Sequence, residues 1–211
     1  DILQILEVYN MTNPPFFEIT CVILCGGKSS RMGEDKSLLP FASSKSLTEY
    51  QYNRLKPYFK NIYLSSKINK FDFINNEKII FDENKDIFSP ILALQTIFKE
   101  LNNQKVFIIT VDTPFVSLES ISKLINDSKH VDICVAKTEK VHNLCGVFSS
   151  NISESINTMI KSDIHKIGYL LKNNNTKMIE FQNDDEFMNI NNKEDYSNSL
   201  IFISKNNNSN K

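Results

Sequence analysis

Short, almost wholly apolar runs alternate along this chain with stretches whose apolar residues recur every three or four positions. A continuous apolar run suits a strand covered on both faces, and helical recurrence suits a helix lying over it. The runs fall at residues 19–24 (ITCVIL), 61–65, 78–81 (KIIF), 106–111 (VFIITV), 131–136 and 144–148, the last after a turn near His142 and Asn143. Helical spacing is found at 47–58, 90–101, 118–128, 152–160, 164–171 and 193–202. Pro90 suits a first helical position, where its missing N–H costs nothing, and Ser117 suits an N-cap with Glu119 in the first turn. Two short strands are predicted at 176–181 and 186–189. Strands separated by helices in this way predict an α/β fold. The expected form is a single-domain, Rossmann-like three-layer sandwich with a mostly parallel central sheet. Residues 1–17 read as a partly ordered N-terminal extension, 18–203 as the domain, and 204–211 as a disordered tail.

Composition narrows the function. With 211 residues and 41 % apolar content the chain can bury a sizeable core. A net charge of −1 gives no basic field for nucleic acid or a membrane surface, so any anionic ligand must be met by a local cluster of cations. No apolar run reaches the roughly 18 residues of a membrane span, and no secretory leader precedes the first strand; the reading is cytoplasmic. The four cysteines form no C-x-x-C pair. Cys21 and Cys134 sit in apolar runs as small hydrophobes, Cys145 is likewise unpaired, and Cys25 lies in a loop, open to solvent but without a base. His130, His142 and His165 are scattered and read as structural or surface groups.

The informative segment is residues 24–36, LCGGKSSRMGEDK, directly after the first buried strand. It holds three of the five glycines in the chain. Glycine lets backbone approach a ligand closely, and successive N–H groups in such a turn make a concavity for phosphate oxygens. Lys28, Arg31 and Lys36 add positive charge, and Arg31 can hold two oxygens with one planar fork. A Walker loop would need glycine five residues before Gly27-Lys28, where Val22 stands; a dinucleotide fingerprint fails because the glycines are adjacent and then six apart. The second piece is VDTPF, which puts Asp112 at the end of another strong strand. One carboxylate there, with phosphate oxygens and water, suffices for Mg²⁺.

LCGGKSSRMGEDKSLL, FDENKDIFSPILAL, TVDTPFV and FMNINNKEDY together resemble the nucleotidyltransferases that open with L-x-G-G-x-x-x-R-M-G-x-D-K, and among them the molybdenum cofactor guanylyltransferases (MobA proteins). The resemblance covers about residues 21–196. It implies an enzyme that moves GMP from GTP to the terminal phosphate of the molybdenum-pterin cofactor, with Mg²⁺. It further implies that Leu24, Cys25 and Gly26 meet guanine and ribose through main chain while Gly27 lets the triphosphate pass. Arg31 would hold the β- and γ-phosphates, Lys36 the α-phosphate, Asp82 the base, and Asp112 the metal. Ser65 stands where the family often has asparagine beside the nucleotide. Asn189 and Asn191 would lie near the pterin, in a motif where Asn192-Lys193 replaces the usual Thr-Pro; His142-Asn143 likewise replaces a common His-Pro. Gly26, where related cytidylyltransferases carry alanine, favours GTP. Molybdoenzymes, their chaperones or cofactor-delivery proteins are the implied protein partners. A CTP- or sugar-1-phosphate-specific transferase, or a non-catalytic nucleotide-binding module, stands as the alternative.

Overall fold

The computed structural model describes residues 14–26, 33, 35–84 and 86–209. The ITCVIL run lies in β1 (Phe17–Leu24), which pairs in parallel with β2 (Phe59–Ser66); β3 (Ile79–Phe81) extends the parallel set beyond β2. On its other side β1 pairs in parallel with β4 (Lys105–Thr110). Beyond β4 come β5 (Ile133–Lys137), β6 (Val141–Ser149) and β7 (Thr176–Glu180), with β6 antiparallel to both β4 and β5. The order is β3-β2-β1-β4-β6-β5-β7, mostly parallel as the apolar runs imply.

Alternate side chains of β1 enter two separate cores. Cys21 and Ile23 pack with Leu47, Leu55, Phe107 and Ile121 on one face; Val22 and Leu24 pack with Ile91, Leu94, Ile108 and Ile156 on the other. The first face is covered by α1 (Leu47–Leu55). The second is covered by α2 (Pro90–Leu101); the first also takes α3 (Leu118–Asp127), and the second also takes α4 (Ser153–Lys161) and α5 (Ile167–Lys172). Each fully buried Ile or Leu contributes roughly 1.5–3 kcal/mol. Two-sided burial of β1 and β4 therefore makes a stiff frame for whatever stands at their carboxyl ends. No helix among the described residues is long and apolar enough to cross a membrane.

Four expectations shift. The helical period at 47–58 is broken near Pro57, so α1 ends at Leu55 and a 3₁₀ turn covers Lys56–Tyr58. Residues 186–189 are not a strand: a 3₁₀ turn spans Asp185–Phe187, because Phe187 is drawn inward to stack on His142 and no neighbouring strand offers a ladder. The closing helix, α6 (Lys193–Ser209), runs beyond the 193–202 of the helical spacing; extending an existing helix adds one bond per residue fixed. His142 and Asn143 do not form a turn. They lie inside β6, and the reversal comes earlier, where Thr138 N–H donates to Lys140 C=O at 2.9 Å.

That misplacement has a structural cause. Val135 of β5 pairs with Gly146 but its neighbour Ala136 pairs with His142, so residues 143–145 of β6 have no counterpart and bulge from the ladder. A bulge re-aims side chains, often beside a ligand site, and here Asn143, Leu144 and Cys145 line a cavity. Gly146 anchors the bulge: a Cβ there would lie 2.0 Å from Cys134 O and 2.8 Å from Val135 Cα, both backbone. Gly146→Ala is therefore expected to cost about 2–3 kcal/mol, seen as a lower urea midpoint with an unchanged slope.

Candidate active site

Three segments remote in sequence meet at the carboxyl end of the sheet. Asp35 caps a short 3₁₀ turn (Lys36–Leu38), its Oδ1 accepting from Ser37 N at 3.0 Å and Ser37 Oγ at 2.7 Å. This turn aims Lys36 across β1 at Asp112, two residues past β4, and Lys36 Nζ lies 2.5 Å from Asp112 Oδ2. The third segment is main chain: Lys36 Nζ donates to Ile190 O at 3.3 Å, and Ile190 N donates to Asp112 O at 2.9 Å. A cation and a carboxylate, each less than a fifth exposed, are thus stitched to the C-terminal FMNIN segment.

On the α2 side, the ends of β1–β4 and the start of α2 enclose a cavity of about 340 Å³, lined by Leu24, Gly26, Ser65, Asp82, Phe88, Ser89 and Thr110 among others. Asp82 Oδ1 accepts from Ser65 Oγ at 3.2 Å. Burial pushes the Asp82 carboxyl up from its usual range, opposed by the Ser65 hydrogen bond and the Lys67 charge. Among the described residues, the nearest atom that a Cβ on Gly26 would meet is Asp82 Oδ2, at 3.9 Å. Contact with the described residues therefore does not demand glycine there; an alanine methyl would point into the cavity beside Asp82. Ser89 caps α2, accepting from Ile91 N and Leu92 N.

A second cavity, about 300 Å³, is lined by Thr110, Asp112, Lys140, His142, Leu144 and Asn189 with their neighbours. Thr110 and Leu144 line both cavities, and Asp112 stands in the second beside their junction. His142 is buried, with Nε2 2.9 Å from Thr138 Oγ1. Burial lowers its pKa, Lys140 lowers it further and Asp184 opposes; the ring is a buried, hydrogen-bonded structural group. His165 bridges Ser89 Oγ at 2.9 Å and Asp163 Oδ1 at 3.0 Å, a structural link behind the first cavity.

The structure thus brings Lys36 to Asp112, and Ser65 and Gly26 to Asp82, and sets Asn189 in the second cavity. Asn191 is exposed, and its main-chain N–H donates to Asp195 at the start of α6. Gly27 and Arg31 lie outside the described residues. Cys25 is a correction: it is buried, not open to solvent, because its N–H continues the sheet to Ser65 O at 2.8 Å. Burial pushes its thiol up to about 12, and that of Cys145 likewise, so neither is a nucleophile. Lys70 escaped notice in the sequence. Its Nζ lies 2.5 Å from Asp35 Oδ2 and 3.4 Å from Cys25 O, joining the two ends of the glycine loop. Those Lys70 and Ser37 hydrogen bonds outweigh the opposing effect of burial and hold the Asp35 carboxyl below its usual value. In a lysine- and asparagine-rich loop nothing in the residue pattern singles Lys70 out.

Comparison with known proteins shows the family to which the chain belongs. Residues 21–176 match the model of the MobA-like NTP transferase domain. A protein of Campylobacter jejuni subsp. doylei named molybdenum cofactor guanylyltransferase is 39% identical over 182 residues, 85% of this chain and 94% of that one. A Helicobacter pylori protein (strain 26695) of the same name is 33% identical over 201 residues, 92% of this chain and 98% of its own length. Among solved structures, the molybdopterin-guanine dinucleotide biosynthesis protein A of Archaeoglobus fulgidus superposes with a TM-score of 0.74 over 89% of this chain and all of that one. At 18% identity that likeness bears on the fold alone. A glycine loop after β1, Lys36 on Asp112 and two abutting cavities are therefore found on a chain that belongs to the MobA-like NTP transferase family, with relatives named molybdenum cofactor guanylyltransferase.

Proposed function

We propose that this enzyme transfers GMP from GTP to the terminal phosphate of a molybdenum-pterin cofactor, releasing pyrophosphate, and that it works in the cytoplasm. The observation that carries the reading is the Lys36–Asp112 pair, whose carboxylate lines the second of two cavities that share Thr110 and Leu144, one suited to each substrate. Relatives at 31–39% identity that share the name molybdenum cofactor guanylyltransferase support the acceptor.

The first cavity suits guanine. An ionised Asp82 only accepts hydrogen bonds, and the guanine edge offers adjacent N1–H and N2–H donors. Cytosine would present one amino donor beside the lone pair of N3, which faces a carboxylate unfavourably. Glycine at position 26 leaves the space beside Asp82 open for the base.

In the reaction an oxygen of the cofactor phosphate bonds to the α-phosphorus of GTP in line, and the bond from that phosphorus to the bridging oxygen of the pyrophosphate breaks. A phosphate monoester is already an anion at neutral pH, so no strong general base is required. The difficulty is bringing two anions together. Lys36 would place its charge on the α-phosphate, and main-chain contacts to Ile190 hold Lys36 and Asp112 in place. No group of three or more His, Cys, Asp or Glu side chains suited to a metal exists among the described residues. The single carboxylate of Asp112 is what Mg²⁺ carried on substrate phosphates requires, and Asp112 would hold it. When bound, the ion offsets phosphate charge and orients the reacting groups.

The test is release of pyrophosphate that depends on both GTP and purified pterin cofactor; absence of guanine dinucleotide product would overturn the assignment. In thermal unfolding with Mg²⁺, GTP is expected to stabilise more than CTP or UTP. At a hundredfold excess over Kd the gain is about 2.7 kcal/mol, on the order of 5–10 °C. A larger shift with CTP would reassign the base.

A further inference from the structure

We infer that Thr110 selects ribonucleotides by accepting a hydrogen bond from a sugar hydroxyl of the bound nucleotide, an inference that rests on the nucleotide reading above. The carboxyl ends of the strands stand in the order β3, β2, β1, β4, with Leu24 in register with Ser65 on one side and Thr110 on the other. Asp82, just beyond β3, and Ser65, on β2, form the end of the cavity that suits the base. Lys36 and Asp112 form the phosphate end, two residues beyond Thr110. Neighbouring strands are about 4.8 Å apart, so the three gaps from β3 to β4 span roughly 14 Å. A nucleotide laid along that line puts its sugar over β1 and β4, where Leu24 and Thr110 face the cavity.

Hydroxyl bookkeeping then says what Thr110 can offer. Thr113 Oγ1 donates its only proton to Thr110 O at 2.9 Å. Either oxygen could be the donor in the 3.2 Å contact between Thr110 Oγ1 and Thr113 Oγ1; the arrangement that keeps the shorter Thr113 bond to Thr110 O uses the Thr110 proton. Thr110 Oγ1 is then left with lone pairs alone for the cavity. Phosphate oxygens and base carbonyls, being acceptors, gain nothing from it; a sugar hydroxyl, a donor, does. The position interrupts a strand that is apolar from Val106 to Ile109, and β-branched valine would fit it equally well as backbone.

The experiment measures kcat/KM for GTP, 2′-deoxy-GTP and 3′-deoxy-GTP with pterin cofactor and Mg²⁺, using the full chain and Thr110→Val, Thr110→Ser and Thr110→Ala variants. The wild type is expected to favour GTP over one of the two deoxynucleotides by about five- to tenfold, the worth of one neutral hydrogen bond. Thr110→Val should bring that ratio near one, and Thr110→Ser should keep it. Thr110→Ala reads the same ratio if the valine variant does not fold. Equal use of all three nucleotides by the wild type, or an unchanged ratio in both valine and alanine variants, overturns the assignment. If the wild type turns over no GTP, it is the guanylyl-transfer reading that falls; the three ratios are then taken from dissociation constants by calorimetry and judged in the same way.

Discussion

Asp112→Asn is expected to slow guanylyl transfer about a thousandfold, equivalent to about 4 kcal/mol at the transition state, in a protein that still folds. The substitution keeps shape and removes charge. The seam between Asp112 O and Ile190 N is main chain and survives it. The ion pair with Lys36 is lost, but both side chains keep some contact with solvent, so the loss stays below that of breaking a fully buried pair. What is lost in full is the anionic oxygen that would hold Mg²⁺ beside the junction of the cavities. The apparent Mg²⁺ requirement should therefore rise as the rate falls. A steady-state assay over a Mg²⁺ series checks both, and near-normal turnover at ordinary Mg²⁺ would remove Asp112 from the chemistry.

The frame of this site was legible because its physics is local. Strands buried on both faces must be written as apolar runs, and β1 and β4 are; their carboxyl ends then put Cys25, Gly26 and Asp112 on one rim. The walls were less legible because they depend on pairings between distant residues. His142 reads as a polar break, yet it is buried by Thr138 and by Phe187, which lies 45 residues away in the chain. The bulge at 143–145 follows from register between β5 and β6, and no periodicity records it. Lys70 is one lysine among many until the fold brings it to Asp35. The FMNIN motif pointed to asparagine side chains, while the main chain of Ile190 is what binds the Lys36–Asp112 pair together.

Lys36→Met is the second large effect, and its sign on Mg²⁺ should be opposite. Methionine keeps the length and apolar character of the lysine stem and deletes the ammonium. If that charge meets the α-phosphate as negative charge grows on the departing oxygens, kcat and kcat/KM should fall together by about a hundredfold or more. Loss of ground-state GTP binding alone would instead raise KM and spare kcat. Lys36→Arg should restore only part of the rate, since a planar guanidinium cannot replace a compact ammonium in the space between Asp112 and Ile190 O. The cation that now sits on Asp112 competes for the same carboxylate, so its removal should lower the apparent Mg²⁺ requirement, whereas Asp112→Asn raises it. Movement of both variants in the same direction would mean that the 2.5 Å pair is only a structural ion pair and that neither residue does what its position at the cavity junction implies.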